Sequence, residues 1–252
     1  MKLAVHATSD VGLQRNHNED MALLGSRMLR DDRYDGVHEI SNPGRPYVIA
    51  VADGLGGQAA GEVASRDVLT AFRDEIAALE VGLSPTALSQ RLTEIARSIQ
   101  DELLTRARAN PRHRGMATTL TAVVLYDEQF FLAHAGDSRC YVARNGVLRQ
   151  VSRDHTLREF SGDPRIPGNI LANCFGSEED FFLEAQQFGS EGEAGDLFLL
   201  CSDGLSDMVP DEVIERTISE LEDLNAAGAR LLELAHAGGG RDNITFILAR
   251  RL

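Results

Sequence analysis

Five short segments carry a carboxylate at the edge of an apolar, strand-like run, next to a glycine or an asparagine. They are Asn18-Glu19-Asp20-Met21, Val51-Ala52-Asp53-Gly54, Gly136-Asp137-Ser138-Arg139, Ser202-Asp203-Gly204 and Arg241-Asp242-Asn243. Each acid taken singly is also at home as a turn or cap residue. Five in one context read differently. Hard divalent cations want several oxygen ligands, and carboxylates delivered by separate strands supply them. Histidine and cysteine are absent from these positions, which favours Mg²⁺ or Mn²⁺ over Zn²⁺. Asp53 stands out, because Gly54, Gly56 and Gly57 follow it within four positions. Glycines there let backbone carbonyls turn toward the point where the acid ends.

The bulk of the chain fits such a site. Its 252 residues can bury a large core. Lys plus Arg number 25 and Asp plus Glu 39, so the formal net charge is 25 − 39 = −14. That argues against nucleic acid as the main partner, since phosphate-backbone binding needs Lys and Arg. At 43% hydrophobic residues the chain is not a disordered acidic one. Cys140, Cys174 and Cys201 are odd in number and widely spaced, without a disulfide or zinc pattern, and are expected to be reduced and buried. No apolar run approaches ~18 residues and the N-terminus has no signal core, so a cytoplasmic protein without a membrane span is expected.

The elements that must position the acids follow from periodicity. Lys2 to Ser9 reads as a strand, and Arg27 to Pro46 as an exposed loop or irregular hairpin. Tyr47 to Ala52 is an apolar, β-branched run, the mark of a buried strand. A helix is expected from about Gln58 to Leu79. A second starts at Ser84-Pro85, with Ser as N-cap and Pro at the first helical position, and ends at Asn110-Pro111. Thr119–Leu125, Gln129–His134 and Arg139–Ala143 have period two; Asp127-Glu128 is a hairpin tip and Asn145-Gly146 a type I′ turn signal. Phe181–Phe188, Leu197–Ser202 and Asn243–Arg251 complete the strands, and Pro210–Leu221 and Leu224–Ala237 form a second helix pair. Strands clustered in sequence with helices in pairs predict an antiparallel α+β sandwich rather than a doubly wound parallel sheet.

The same residues carry a resemblance. Arg15-x-x-x-Glu19-Asp20, Asp53-Gly-x-Gly-Gly57, Gly115-x-Ala-Thr-Thr119, Gly136-Asp-Ser-Arg139, Asp154-His155, Ser202-Asp-Gly-Leu205 and Arg241-Asp-Asn243 stand in this order between Ser9 and Leu248. In combination they resemble the metal-dependent Ser/Thr protein phosphatases of the PPM (PP2C) family, in their compact bacterial form. The resemblance implies a single catalytic domain over residues 1–252. It would be a four-layer α-β-β-α sandwich with two central antiparallel β-sheets flanked by helix pairs. It implies that Asp53 bridges two ions, that Gly54 offers its carbonyl to one, and that Asp203 and Asp242 complete the ligand shell of the second ion. Glu19 and Asp20 would hold metal-bound waters, Asp137 with Asp203 a weaker third ion, and Arg15 the substrate phosphate. Phosphorylated proteins would be the substrates, and a cognate Ser/Thr kinase or its targets the partners.

The chemistry is coherent on its own terms. Phosphate monoesters hydrolyse extremely slowly in water. Two cations sharing Asp53 can lower the pKa of a bridging water and place hydroxide for in-line attack. Arg15 can neutralise the non-bridging oxygens through bidentate hydrogen bonds. Two departures from the family stand out. Some relatives carry a histidine two places after the bridging acid, where this chain has Leu55. The stretch from Arg158 to Asn173 is shorter than the usual flap and is expected to lie on the surface with little core contact. His17 and His155 read as structural. Two other readings remain open here: a phosphatase for small phosphorylated molecules, and a catalytically weak phosphoprotein- or kinase-binding module.

Overall fold

The computed structural model describes residues 1–40, 45–56, 60–189 and 192–252. The expected start of the first helix at Gln58, and Gly57 of the glycine turn, lie outside the described residues.

Two six-stranded sheets form the middle of the molecule. The first has the order β11 (Val147–Gln150), β10 (Arg139–Arg144), β13 (Leu197–Cys201), β14 (Ile244–Arg251), β1 (Lys2–Asp10), β4 (Arg33–Glu39). The second has the order β12 (Glu184–Gln187), β9 (Gln129–Ala135), β8 (Leu120–Tyr126), β5 (Tyr47–Ala52), β2 (Met21–Leu24), β3 (Arg27–Leu29). Every pairing within them is antiparallel. A small ladder joins β6 (Gly54–Leu55) to β7 (Ala117–Thr118).

Three apolar layers explain why the central strands read as continuous hydrophobic runs. Along β5, Val48, Ala50 and Ala52 face one cluster while Ile49 and Val51 face another. The first cluster packs the second sheet against α1 (Ala60–Ala77) and α2 (Pro85–Ala109), through Val68, Leu69, Phe72, Leu88, Leu92 and Ile95. The second cluster is the seam between the sheets, where Phe130 stacks on Phe198 with ring centroids 4.9 Å apart. On the far side Leu197, Leu199, Phe246 and Leu248 meet α5 (Asp211–Glu220) and α6 (Leu224–Ala237). A strand buried on both faces has no polar side to alternate with. This is the expected four-layer α-β-β-α sandwich.

Local signals act as expected at several points. Ser84 caps α2, its side chain accepting from the Ala87 N–H at 3.2 Å, and Asn110 ends it. Asn145 and Gly146 both have positive φ (52° and 80°), as do Asp127 and Glu128 (49° and 61°), the backbone that two-residue I′ hairpins require. One expectation is corrected. Arg33–Glu39, read as part of an exposed loop or irregular hairpin, is a regular edge strand in register with β1 from Lys2↔Glu39 to Thr8↔Arg33. Its exposure alternates along its whole length, with Gly36 in the middle, so its sequence offers little apolar signal. The segment 158–173 is corrected in part. Its residues up to 172 are exposed or half-buried as expected, but it opens with one short helix, α3 (Leu157–Ser161), capped by Thr156.

Candidate active site

The acids meet at one end of the sandwich. Asp53 follows β5, Glu19 and Asp20 precede β2, Asp137 lies between β9 and β10, Asp203 opens α4 (Asp203–Ser206) after β13, and Asp242 precedes β14. The backbone fixes each of them. The Asp53 N–H donates to Thr119 Oγ1 at 3.0 Å, and its carbonyl accepts from the Thr119 N–H at 2.9 Å and the Thr118 hydroxyl at 2.8 Å. Thr119 Oγ1 in turn lies 2.7 Å from Ser138 Oγ, tying the Asp53 turn to the Asp137 turn. Gly54 pairs with Thr118, and a Cβ there would strike the Gly61 and Glu19 carbonyls, so only glycine fits between α1 and the Glu19 segment. Gly204 is equally constrained against the Asn243 carbonyl.

Asn243 is the tie at the opposite wall. Its amide donates to the Val11 and His17 carbonyls at 3.0 Å each, and its Oδ1 accepts from the Glu19 N–H at 2.8 Å. The loop carrying Arg15 and Glu19 is thereby clamped to the turn carrying Asp242. Arg15 Nη2 reaches Asp242 Oδ2 at 2.6 Å, both side chains remaining substantially exposed.

The electrostatics show how closely the acids converge. Burial, and then the charges of Asp20, Asp203, Asp137 and Asp242, hold the Asp53 carboxyl well above the usual carboxylate range. Burial, with Asp203 and Asp242 nearby, pushes Asp20 up to about 7 despite the 2.7 Å hydrogen bond from Ser202 Oγ. Burial and the charges of Asp242 and Asp207 raise Asp203 to about 6, and burial with Asp203 and Asp154 raises Asp137 to about 7. Carboxylates that repel one another in this way are held together by a cation or by protons. Glu19 Oε1, Asp20 Oδ1 and Asp203 Oδ1 are buried oxygens with no hydrogen-bond partner among the described residues. A buried polar atom without a partner is costly. An all-oxygen donor set with orphaned atoms fits a hard divalent cation. Among the described residues no three side chains already stand as a finished ligand set, and Arg15 engages one oxygen of Asp242.

A cleft of about 480 Å³ opens beside these acids, lined by Asp137, Asp203 and Asp207 on one side and by Arg158, Glu159 and Asn169 of the short flap on the other. Arg139 binds Asp154 through both carboxylate oxygens, with Nη2 to Oδ2 at 2.7 Å. His155 is fully buried, and its Nδ1 accepts from the Gly136 N–H at 3.2 Å and from Asn173 at 2.9 Å, a structural role. His17 stands in the exposed part of the Arg15 loop. Sequence reasoning missed the supporting residues Arg30 and Ser65, and gave Ser202, though part of a quoted motif, no role of its own. Arg30 donates to the Asp20 and Glu62 carbonyls and to Ser65 Oγ, and Ser65 Oγ donates to the Glu19 carbonyl at 2.5 Å. An arginine just after a short apolar strand carries no motif that would have marked it.

The family model described as protein phosphatase 2C matches residues 24–236. This chain belongs to that family. It is 35% identical over 254 residues to the serine/threonine protein phosphatase PstP of Mycobacterium tuberculosis, covering 96% of this chain and 44% of that protein. The chain therefore spans less than half the length of its mycobacterial relative. It is 31% identical over 255 residues to the serine/threonine phosphatase stp of Listeria innocua, covering 96% of this chain and 94% of that one. The crystal structure of the mycobacterial PstP phosphatase superposes with a TM-score of 0.78 at 32% identity, covering 100% of this chain and 99% of that chain. The catalytic domain of PstP in complex with two manganese ions does so with a TM-score of 0.76 at 33% identity, covering 98% of each chain.

Proposed function

We propose that the protein is a metal-dependent phosphatase that removes phosphate from phosphoserine and phosphothreonine in proteins, with residues 1–252 as its catalytic domain. The observation that carries this reading is the convergence of Asp20, Asp53, Asp137, Asp203 and Asp242, each of the first four held above its ordinary pKa by burial and by the others. The names of the Mycobacterium and Listeria relatives and the manganese-bound PstP structure support it.

Asp53, Gly54, Asp203 and Asp242 would hold two Mn²⁺ or Mg²⁺ ions, with Glu19 and Asp20 beside them and Asp137 at a weaker third. Bound cations lower the pKa of a water at such a site and draw charge from phosphoryl oxygens. The chain's own residues do the rest. Arg15 stands on an exposed loop at the rim, where its guanidinium can leave Asp242 and pair with two phosphate oxygens. Asn243 and Thr119 keep the loops that carry Arg15, Glu19 and Asp53 in fixed register. Phosphoryl transfer of this kind depends on positioning and electrostatics, and needs no covalent nucleophile. Cys140 and Cys201 are buried with their thiols pushed up by desolvation, Cys140 well above the ordinary thiol range and Cys201 to about 12, which suits core residues rather than nucleophiles.

Phosphorylated proteins, including a Ser/Thr kinase or its targets, are the partners this reading implies. A cytoplasmic location belongs to the same proposal; among the described residues no helix is long and apolar enough to cross a membrane. Turnover of phosphothreonine peptides, nucleotides and sugar phosphates, each with and without Mn²⁺, tests the proposal. Metal-dependent release of phosphate favouring the peptides is expected. Preference for the small molecules, or binding of phosphopeptide without release, would overturn it.

A further inference from the structure

A second groove lies at the opposite end of β5 from the acids. It has a volume of about 780 Å³, and its lining includes Arg27, Tyr34, His38, Arg45, Tyr47, Arg73 and Asp74. Tyr47 begins β5 and Asp53 follows its end. Six residues of strand at ~3.3 Å each put the groove about 20 Å from the metal-site acid.

Its charge runs against that of the whole molecule. The chain carries −14, yet this lining has three arginines and one carboxylate. Arg73 pairs with Asp74 at 2.8 Å, and Arg27 lies 3.7 Å from Asp32 and over the Tyr34 ring at 4.8 Å. Arg45 is exposed and in no ion pair among the described residues. His38 sits between the Tyr34 and Tyr47 rings, with centroids 5.4 and 5.5 Å away. Its Nδ1 lies 2.8 Å from the Tyr47 hydroxyl, while its buried Nε2 has no partner among the described residues.

The groove also lies where both sheets end. β3 is the edge strand of one sheet and β4 of the other, and they contribute Arg27, Tyr34 and His38. The outer side of an edge strand presents backbone N–H and C=O groups that an extended chain can pair with. Aromatic rings, arginines and free strand edges together suit a polypeptide better than a small anion. Backbone pairing gives such a peptide its affinity and alternate side-chain positions give it specificity.

We propose that this groove docks an extended acidic segment of a protein partner, with carboxylates or phosphates on Arg27, Arg45 and Arg73. That the partner is also a substrate rests on the phosphatase reading above; the binding itself does not. A chain at ~3.3 Å per residue needs at least six residues to span 20 Å, so a substrate engaged at both sites carries its acidic tract well away from the phosphorylated residue.

The test uses two fluorescein-labelled nine-residue peptides without phosphate, one alternating Asp with Val and one alternating Lys with Val. Binding to the intact protein is read by anisotropy at low and moderate salt. The Asp peptide is expected to bind and the Lys peptide not. The double substitution R27E/R45E is expected to weaken the Asp peptide more than tenfold, with the thermal transition and the hydrolysis of a small chromogenic phosphate ester unchanged. Absence of Asp-peptide binding to the wild type, or equal binding to R27E/R45E, would overturn the proposal. So would displacement of the label by pyrophosphate but not by unlabelled Asp peptide, which would make the groove a small-anion site. In a separate arm, a phosphothreonine peptide carrying an acidic tract ten to twelve residues away should have a higher kcat/KM than one with a neutral tract, and R27E/R45E should erase the difference. Binding that holds while the protein hydrolyses no phosphopeptide would leave docking standing and defeat the phosphatase reading instead.

Discussion

Replacing Arg15 by alanine separates two things that the structure joins in one side chain. Arg15 Nη2 is 2.6 Å from Asp242 Oδ2, so the candidate phosphate clamp rests on a candidate metal ligand. A cation that takes this oxygen of Asp242 must displace the guanidinium. The pair is substantially exposed, 51% for Arg15 and 37% for Asp242, and an ion pair so open to solvent is worth about 0.5–1 kcal/mol. Removing it should therefore tighten Mn²⁺ binding by roughly two- to fivefold. Loss of the charged hydrogen bonds to phosphate should at the same time cost about 1.5–3 kcal/mol, or roughly ten- to a hundredfold in kcat/KM. The contact with Asp242 is what gives the effect on metal binding its sign. Calorimetric titration of Mn²⁺ into wild type and Arg15→Ala, beside steady-state hydrolysis of a phosphothreonine peptide, reads both effects. Weaker metal binding in the variant would refute the argument and make Arg15 a structural support of Asp242.

Three further outcomes follow from the same geometry. In EDTA the protein should lose stability as pH rises from about 4 to 7: Asp20, Asp137 and Asp203 hold protons in the fold up to about 7, 7 and 6, whereas an unfolded aspartate releases its proton near 4. Saturating Mn²⁺ should abolish this slope, and a metal-free Tm that rises with pH would contradict the cause assigned to the shifts. Asp137→Ala should leave the two-ion core occupied but lower kcat and raise the Mn²⁺ concentration needed for full rate; a wild-type rate at every metal concentration would remove Asp137 from the site. Asn243→Ala removes hydrogen bonds to the Val11 and His17 carbonyls and from the Glu19 N–H, each worth about 1 kcal/mol, so the Tm should fall and Mn²⁺ affinity with it; an unchanged affinity would show that the Arg15–Glu19 loop holds itself.

What the sequence made legible was whatever is local. The Ser84 cap and the Asn145-Gly146 turn are set by neighbours within a few positions, and the structure has them where the pattern puts them. The acids were legible because each sits at the end of an apolar strand. β4 was not, because an edge strand with one half-buried face and a central glycine has almost no apolar period to read. The contacts that assemble the site were not legible either. Arg15 and Asp242 are 227 residues apart and Ser202 and Asp20 are 182 apart, and nothing in the local composition pairs them. Arg30 and Ser65, which hold the Glu19-Asp20 segment against α1, belong to the same class.

The central claim is that Asp53 organises a two-cation site that hydrolyses phosphoprotein. The most direct measurement pairs the stoichiometry of Mn²⁺ bound, by calorimetry, with phosphate released from a phosphothreonine peptide, for wild type and for Asp53→Asn. That substitution keeps the shape of the side chain and the backbone bonds to Thr118 and Thr119. The account predicts at least two Mn²⁺ and metal-dependent turnover in the wild type. In the variant it predicts weakened metal binding and no turnover, with an intact thermal transition. Turnover by Asp53→Asn close to the wild-type rate, or undiminished Mn²⁺ binding in it, would contradict the account.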